Sequence, residues 1–347
     1  MEALLSQDYS EYEVIIVTVS PDDETIPVLK GLVRQHPVRT LKFVTAGTAE
    51  GRGEKVNNLI EAVSHAAPGS EVFVFTDSDC RPHQNWLRWL IAPLIEPSIG
   101  VSTGYRWYFP KQGSFASVLR SAWNASIATV LGEHDRNFCW GGSMAIRRHA
   151  FERIGVIDRW KRSVSDDYSM ADAVRAAGLK IHYEPRCLIG SYGSIRLYEF
   201  LRWATRQIVI TRVYSPQLWN LAFMAQVPFV ASWWWMVGVC ALGSGRTVLA
   251  GSRFSFYPLG TQLLLVSTVY ALSLLRGIYR LKAILLIRAD SSAEILRFAW
   301  AYVLLAPLVS TATAYALFAS LLTRCLEWRG VRYELVSSQE VRVIRNG

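Results

Sequence analysis

The stretch EVFVFTDSDCRP, from Glu71 to Pro82, places an apolar run directly before two carboxylates that are one residue apart, Asp77 and Asp79. A continuous run of β-branched and aromatic residues is typical of a strand buried in a parallel sheet. Ligands of such sheets bind at the carboxyl ends of the strands, where carboxylates can hold a divalent cation. A plain turn is the alternative interpretation, because Asp and Ser are ordinary turn residues.

The segments before this stretch alternate between strand-like and helix-like patterns. The sequence predicts strands at 12–20, 38–46 and 71–77 and helices at 22–37 and 55–70. This β-α-β-α-β order predicts an α/β fold with a parallel sheet that is covered by helices on both faces.

Hydrophobic residues make up 51% of the 347 residues, but they are distributed unevenly. After a mixed region over 1–212, three windows contain no charged side chain: 213–245, 254–275 and 298–323. About 20 apolar residues cross a bilayer, so each window predicts a membrane helix, with a buried core helix as the alternative. The net charge of +9 suits an anionic membrane surface. Nucleic acid is disfavoured, because no basic run interleaved with aromatic residues occurs.

Three further segments suggest a ligand site. GRGEKVNNLIEA puts Lys55 at a helix start, where an anion is favoured, although a solvated loop would look the same. The Gly-Gly-Ser turn within 137–155 suggests close backbone approach to a ligand. In 163–183, Asp166 and Asp167 open an amphipathic helix, which helix capping alone would explain.

The chain resembles the membrane-bound family-2 glycosyltransferases, and most closely the ceramide glucosyltransferase group within their clan. The resemblance covers about Ser6 to Tyr214 and rests on six motifs in order: SQDYSEYEVIIV, GRGEKVNNL, FTDSDC, WGGSMAIRR, SDDYSMADAVRAAG and FLRWATRQ. It implies the GT-A fold, a Rossmann-like domain that binds nucleotide sugars and agrees with the predicted strand order.

The resemblance implies roles for particular residues. Asp77 and Asp79 match the DxD acids that bind a nucleotide diphosphate through Mg²⁺ or Mn²⁺, and Lys55 is expected beside them. Asp167 matches the general base of the family's ED motif, and Asp166 stands where that motif has Glu. The residues expected near the acceptor and the diphosphate are Arg202, Trp203, Arg206, Gln207 and Trp140.

The chain departs from the family pattern in two places. Glu199 stands where the (Q/R)xxRW motif begins with Gln or Arg, and Arg206 and Gln207 could replace that contact. From the resemblance we expect the family's N-terminal membrane helix and first strand to be missing, and Asp22 or Asp23 to serve as the displaced next aspartate. We expect a start assigned too far downstream or a truncated chain, with an unpaired sheet edge or gap and a compromised base site.

The predicted organisation has four parts. They are a GT-A domain (1–198), an interfacial amphipathic helix (199–215), a transmembrane region (216–325) and a basic tail (326–347). About three helices are expected in the transmembrane region, near 217–243, 254–275 and 298–323. Three spans would put the basic tail opposite a cytosolic catalytic domain, so one window could be re-entrant, or 278–297 could lie in the interface.

The expected function is that of an inverting hexosyltransferase. It would move a sugar from a UDP-sugar, with UDP-glucose as the first candidate, to a membrane lipid, with metal assistance and Asp167 as the base. Ceramide, a hopanoid, a diacylglycerol and a polyprenyl phosphate remain open as acceptors. The expected location is the bacterial inner membrane with the catalytic domain facing the cytoplasm, without an obligate protein partner.

Two other functions stay open. A processive polysaccharide synthase shares the DxD and RW motifs, but three windows are few for lining a polymer channel. A catalytically inactive or truncated membrane scaffold is suggested by the missing first strand.

Overall fold

The computed structural model describes residues 1–35, 40–111, 113–243 and 259–344. The strands are β1 (Glu13–Thr18), β2 (Thr40–Thr45), β3 (Val72–Phe75), β4 (Ile99–Phe109), β5 (Met144–Arg147), β6 (Lys180–Tyr192), β7 (Cys325–Trp328), β8 (Val331–Ser337) and β9 (Glu340–Ile344). The first helices are α1 (Glu2–Leu5), α2 (Thr25–Gln35), α3 (Glu54–Ser64), α4 (Trp86–Ile91), α5 (Phe115–Ala128), α6 (Arg148–Arg153), α7 (Val156–Trp160) and α8 (Asp166–Ala176). The later helices are α9 (Leu197–Tyr214), α10 (Pro216–Gly243), α11 (Leu259–Ile287), α12 (Ser292–Arg297), α13 (Ala299–Leu304) and α14 (Ala306–Leu322).

The five elements predicted ahead of Asp77 all form. β1 and β3 are shorter than predicted, and the predicted start of the second strand at 38 lies outside the described residues. Helix α2 begins only at Thr25, whose amide donates a hydrogen bond to the Asp23 carboxylate, so that a backbone donor of the first turn has a partner. The predicted end of this helix near Pro37 lies outside the described residues. Helix α3 ends at Ser64, several residues before the predicted boundary.

The sheet is mixed, which confirms the α/β class but corrects the predicted pairing. β1 and β2 are parallel, as expected. β3, however, pairs antiparallel with β5 in a sheet of order β3-β5-β4-β6, whose β4 and β6 are parallel. The third predicted strand therefore does not continue the β1–β2 sheet in the described part of the chain. β5, which follows the Gly-Gly-Ser turn, occupies one edge of β3.

A single apolar core joins the elements that carry the predicted site. Phe73 and Phe75 on β3 pack in it with Val56 of α3 and Met170 of α8. Trp160 meets the ring of Phe75 edge-on, with the ring centroids 5.2 Å apart. Burying a side chain of this size contributes about 1.5–3 kcal/mol. The carboxyl end of β3 and the first turns of α3 and α8 are therefore held in one rigid arrangement.

Two helices, α10 and α11, are long and apolar enough to cross a membrane. Only 6% of the most apolar 18-residue window of each is buried, which distinguishes these helices from the core helices of a soluble domain. Long apolar helices with most of their residues exposed are typical of a membrane protein. α10 matches the window predicted near 217–243, whereas α11 runs to Ile287 instead of ending near 275.

The third predicted window, 298–323, forms two helices rather than one. α13 ends at Leu304 and α14, with Pro307 in its first turn, has 17 residues. α14 packs against α5 and α9 and buries Leu317 completely. The tail that follows forms the β7-β8-β9 sheet against the α/β domain. The tail sheet therefore lies next to the α/β domain. Three membrane spans would instead require the tail and that domain to be on opposite sides of the membrane.

Helix α9 covers the segment predicted as an interfacial helix and is buried on two sides. Phe200, Ala204 and Ile208 pack into the cluster that contains α5 and α14. Val209 and Ile210 pack against the tail sheet. The helix thus links the α/β domain, the apolar helices and the tail.

Candidate active site

The DSD turn at the end of β3 holds two carboxylates among cations. Asp77 places Oδ1 2.7 Å from Nζ of Lys55 and Oδ2 3.0 Å from Nη2 of Arg106. The same Arg106 nitrogen lies 3.3 Å from Oδ1 of Asp79, whose side chain is 58% exposed. Burial alone would raise the pKa of Asp77, but the ion pairs with Lys55 and Arg106 outweigh it and hold this pKa below its usual value. Asp77 is therefore a carboxylate at neutral pH.

The second acid pair begins α8. The side chain of Ser165 caps this helix by accepting a hydrogen bond from the Tyr168 amide. The Asp166 side chain is 2% exposed, and its Oδ2 lies 2.9 Å from Nζ of Lys55. Burial raises the pKa of Asp166 to about 6, although Lys55 opposes the shift. Lys55 thus forms ion pairs with one acid from each pair and brings the two predicted acid motifs together.

Asp167 has different surroundings from Asp166. Its Oδ1 accepts hydrogen bonds from the Tyr168 amide, at 2.8 Å, and from the Ser165 hydroxyl. Its side chain is half-buried and lines a large cavity that also reaches Asp77 and Asp79. The start of a helix stabilises a negative charge. Asp167 is therefore the acid of the second pair that is open to a ligand and has no ion pair with Lys55.

The Gly-Gly turn makes this arrangement possible. A Cβ on Gly141 would overlap Oδ2 of Asp166 and lie 2.6 Å from Nζ of Lys55. A Cβ on Gly142 would overlap the Trp140 ring. The turn thus lies close to side chains of the site itself, and the predicted backbone approach to a ligand stays a prediction. Trp140 lines the cavity, and its ring lies under the guanidinium of Arg106.

Arg106 is a site residue that the sequence interpretation did not include. It comes from the middle of β4, and its side chain is 16% exposed. Its Nη1 donates a hydrogen bond to the Tyr108 hydroxyl at 3.0 Å. The sequence feature that could have identified Arg106 is its position in the strand IGVSTGYRWYF, which has no other charged residue. A charge in a buried strand requires compensation, and here Asp77 and Asp79 supply it.

The predicted RW region is only partly at the cavity. Trp203, Arg206 and Gln207 line it. Trp203 packs edge-on against Tyr108 with ring centroids 5.7 Å apart, and the Arg206 guanidinium lies over the ring of Trp328, 5.1 Å from its centroid.

Arg202 lies elsewhere. Its side chain is 50% exposed and forms an ion pair with Glu327 of β7 at 2.6 Å, outside the cavity lining. The structure therefore brings Trp203, Arg206 and Gln207 to the site. Arg202 instead connects α9 to the tail sheet through its ion pair with Glu327.

A cavity of about 3010 Å³ connects these groups. It begins between β1 and β3, whose residues both line it, in the region where the sequence predicts an unpaired edge or gap. It continues past both acid pairs to Leu218 and Gln226 of α10. The predicted catalytic residues thus share one space with the surface of a candidate membrane helix.

The DSD turn also fits a divalent cation. One carboxylate oxygen each from Asp77 and Asp79 and Sγ of Cys80 lie within 4.8 Å of one another. Carboxylate oxygens are the ligands that Mg²⁺ and Mn²⁺ prefer. Burial raises the pKa of Cys80 to about 11, so its thiol stays protonated and is a poor ligand for such ions. The two aspartates are therefore the residues that could hold such an ion.

A comparison with known protein families assigns the chain. The profile of glycosyl transferase family 21 matches residues 1–341, nearly the whole chain. The chain belongs to glycosyl transferase family 21.

Two curated proteins show how far the likeness to family members extends. Ceramide glucosyltransferase 1 of Caenorhabditis elegans is 22% identical over 223 residues, which is 63% of this chain and 47% of that protein. Glycosyltransferase AglE of Haloferax volcanii is 24% identical over 248 residues, which is 67% of this chain and 78% of that protein. The aligned part therefore spans about half the length of the ceramide glucosyltransferase.

Glu199 and Asp23, two positions where this family 21 chain departs from the expected motifs, both form hydrogen bonds at the start of a helix. Glu199 accepts a hydrogen bond from the Arg196 amide at 2.8 Å, which caps α9 as part of a capping box. Asp23, and not its neighbour Asp22, lines the cavity. Its carboxylate is already engaged by Thr25 at the start of α2. Both residues therefore stabilise helix starts.

Proposed function

We propose that this chain is an inverting glycosyltransferase that transfers a sugar from a UDP-sugar to a lipid hydroxyl at a membrane surface. The observation that carries the proposal is the meeting of the two acid pairs across Lys55, Asp77–Asp79 on one side and Asp166–Asp167 on the other. Leaving-group binding and proton removal require two such acidic groups at different points of one cavity.

The donor would lie at the DSD turn. A Mg²⁺ or Mn²⁺ ion held by Asp77 and Asp79 would supply positive charge to the diphosphate leaving group. Lys55 and Arg106 add cationic groups from the protein at the same place.

Asp167 would remove the acceptor proton. The acceptor oxygen forms a bond to the anomeric carbon while the bond from that carbon to the diphosphate oxygen breaks, and the hydroxyl proton moves to Asp167. A single direct displacement inverts the anomeric configuration. Asp166 is unsuited to this role, because it is buried and paired with Lys55. Its role is to position Lys55.

A lipid acceptor suits the far end of the cavity. Trp203 and Gln207 of α9 lie there together with Leu218 and Gln226 of α10, the latter within a helix that is long and apolar enough to cross a membrane. A lipid could keep its chains at the apolar helices while its hydroxyl reaches Asp167. The name of one similar protein, the ceramide glucosyltransferase of Caenorhabditis elegans, indicates a lipid acceptor and glucose for that protein. This supports a lipid acceptor here and makes glucose the first sugar to test.

The experiment is a UDP-release assay with the full chain in lipid nanodiscs. UDP-sugars are offered singly with a lipid extract and with Mg²⁺ or Mn²⁺, and the Asp167→Asn and Asp79→Ala variants are run in parallel. We expect lipid-dependent UDP release from one donor, lost in both variants, and a product that carries one added sugar. Polymeric product would favour the polysaccharide synthase, and a folded chain that binds no UDP-sugar would favour the scaffold.

A further inference from the structure

The C-terminal tail ends in a small antiparallel sheet with a tight turn at one tip. β7 and β8 are joined by Arg329 and Gly330, whose φ angles are 50° and 81°. Two positive φ values are typical of a type I′ turn, in which Asn-Gly is the favoured pair. In the part of the chain that the structure describes, Arg329 is the only residue other than glycine that has a positive φ angle. An arginine in the left-handed region is strained, and such strain is often found at functional sites.

The hairpin is fixed to the α/β domain by its own core. Tyr333 and Leu335 of β8 are buried with Val164, at the start of the α8 region, and Ile210 of α9. The Tyr333 hydroxyl also accepts a hydrogen bond from the Glu54 amide at 3.2 Å. Glu54 precedes Lys55 at the start of α3. The position of the turn is therefore determined by packing and by a contact next to the site lysine.

This packing places the turn directly over the DSD motif. Nη2 of Arg329 lies 3.3 Å from Oγ of Ser78, the residue between the two DxD acids. Arg329 lines the same cavity as Asp77, and its positive charge contributes to the lowered pKa of Asp77. A residue 251 positions away in sequence is thus at the proposed diphosphate position.

Arg329 differs from the other two cations at this place. Lys55 is paired with Asp77 and Asp166, and Arg106 is paired with Asp77 and Asp79. Within the described ranges, Arg329 forms no ion pair, and its exposed side chain has the neutral Ser78 hydroxyl as its hydrogen-bond partner. Its charge is therefore available to an anion without breaking an existing ion pair.

From this geometry we infer that Arg329, presented by the C-terminal hairpin, binds the diphosphate of the donor and of the UDP product. The inference rests on the proposed function and adds a residue and a segment to it. A guanidinium can donate two parallel hydrogen bonds to phosphate oxygens, which a lysine cannot do. The strained turn aims this group at the DSD motif. The tail is then part of the active site, although it follows the apolar helices in the chain.

The test measures binding of UDP and of uridine to the full chain in nanodiscs, with Mg²⁺ present, by calorimetry. The variants are Arg329→Gln and Arg329→Gly, and the matched control is Arg332→Gln. Arg332 is an exposed arginine of the same hairpin and is not part of the cavity lining. We expect UDP binding to weaken about tenfold or more in both Arg329 variants, as for the loss of a charge-assisted hydrogen bond. Uridine binding and the affinity of the control should be unchanged.

The glycine variant separates binding from folding. Glycine adopts positive φ without strain, so Arg329→Gly should unfold at the same or a higher temperature than the wild type while it loses UDP affinity. Wild-type UDP affinity in the Arg329 variants, or an equal loss for uridine and UDP, would overturn the inference and leave the proposed function intact. A wild-type chain that binds no UDP would overturn the proposed function, and the inference with it.

Discussion

Nζ of Lys55 lies 2.9 Å from Oδ2 of Asp166, at a point where the Asp166 side chain is 2% exposed. The same nitrogen also contacts Asp77 at 2.7 Å. One cation therefore holds together an acid at the end of a strand and an acid at the start of a helix. Each ion pair in this cluster has a separate consequence that can be measured.

Removing the shared cation should destabilise the protein. Lys55→Met leaves Asp77 and Asp166 buried without this partner, and we expect unfolding to become easier by about 3–5 kcal/mol, as for a broken buried ion pair. Denaturant or thermal unfolding in nanodiscs measures the change. Lys42→Met is the control, because Lys42 is 33% exposed in its pair with Glu13 and should cost about 1 kcal/mol or less. Adding Asp166→Asn to Lys55→Met should restore part of the loss, and a stable Lys55→Met variant would contradict the assignment.

The buried Asp166 should make stability depend on pH. Folding raises the pKa of Asp166 from 3.8 to about 6, so the folded state binds this proton more tightly than the unfolded state. The contribution of Asp166 to the free energy of unfolding therefore falls as the pH rises from about 4 to about 6, by at most about 1.4 kcal/mol per pH unit. Subtracting the curve of Asp166→Asn from that of the wild type isolates this slope. A flat difference over that range would show that the carboxyl titrates normally.

Loss of the proposed base should affect chemistry and spare binding. Asp167→Asn keeps the size of the side chain, and we expect sugar transfer to slow by about 10²–10⁴-fold, the usual contribution of a general base. UDP affinity should change little. Asp172→Asn is the control, since Asp172 lies on the same helix but is 68% exposed and paired with Arg159. Normal turnover by Asp167→Asn would refute this role.

Arg106 should compete with a metal ion for the DxD acids. Its guanidinium donates to both Asp77 and Asp79, so a cation has to displace or share these contacts. Arg106→Gln should therefore bind Mn²⁺ in the absence of nucleotide about tenfold more tightly, because a charge-assisted contact no longer has to be broken. Electron paramagnetic resonance reads free Mn²⁺ directly.

Arg120→Gln provides the control for Arg106. The Arg120 guanidinium also lies over the Tyr108 ring, but it donates to the Gly193 carbonyl and to neither DxD acid. Its Mn²⁺ affinity should equal that of the wild type. Equal affinities for Arg106→Gln and Arg120→Gln would mean that Arg106 does not compete for the cation site.

The Gly141 turn should not tolerate a side chain. Gly141→Ala places a methyl group against Asp166 and Lys55, so we expect a loss of about 1–3 kcal/mol in stability, typical of overpacking, together with weaker UDP binding. Gly69→Ala is the control, because no atom lies within 4 Å of the methyl group that it would add. A melting temperature of Gly141→Ala equal to that of Gly69→Ala would contradict the close packing.

Local sequence patterns were sufficient for the elements that carry the predicted acids. An apolar run followed by DSD predicted β3 and its carboxyl end, and SDD before an amphipathic pattern predicted the start of α8. These predictions depend on side-chain periodicity and helix capping, which act over a few residues. The same locality explains the wrong pairing of β3, because an isolated strand pattern does not specify which neighbour supplies its hydrogen bonds.

The sequence by itself determined the α/β class, the two acid pairs and the apolar C-terminal region, because each is written in residues that are close together along the chain. The tertiary structure alone decided that Lys55 joins the acid pairs, that Arg106 compensates the DxD acids and that the tail returns to place Arg329 over Ser78. These relationships join residues far apart in sequence. They exist because the shared core of β3, α3 and α8 and the packing of the tail against α9 bring distant charges within a few ångströms.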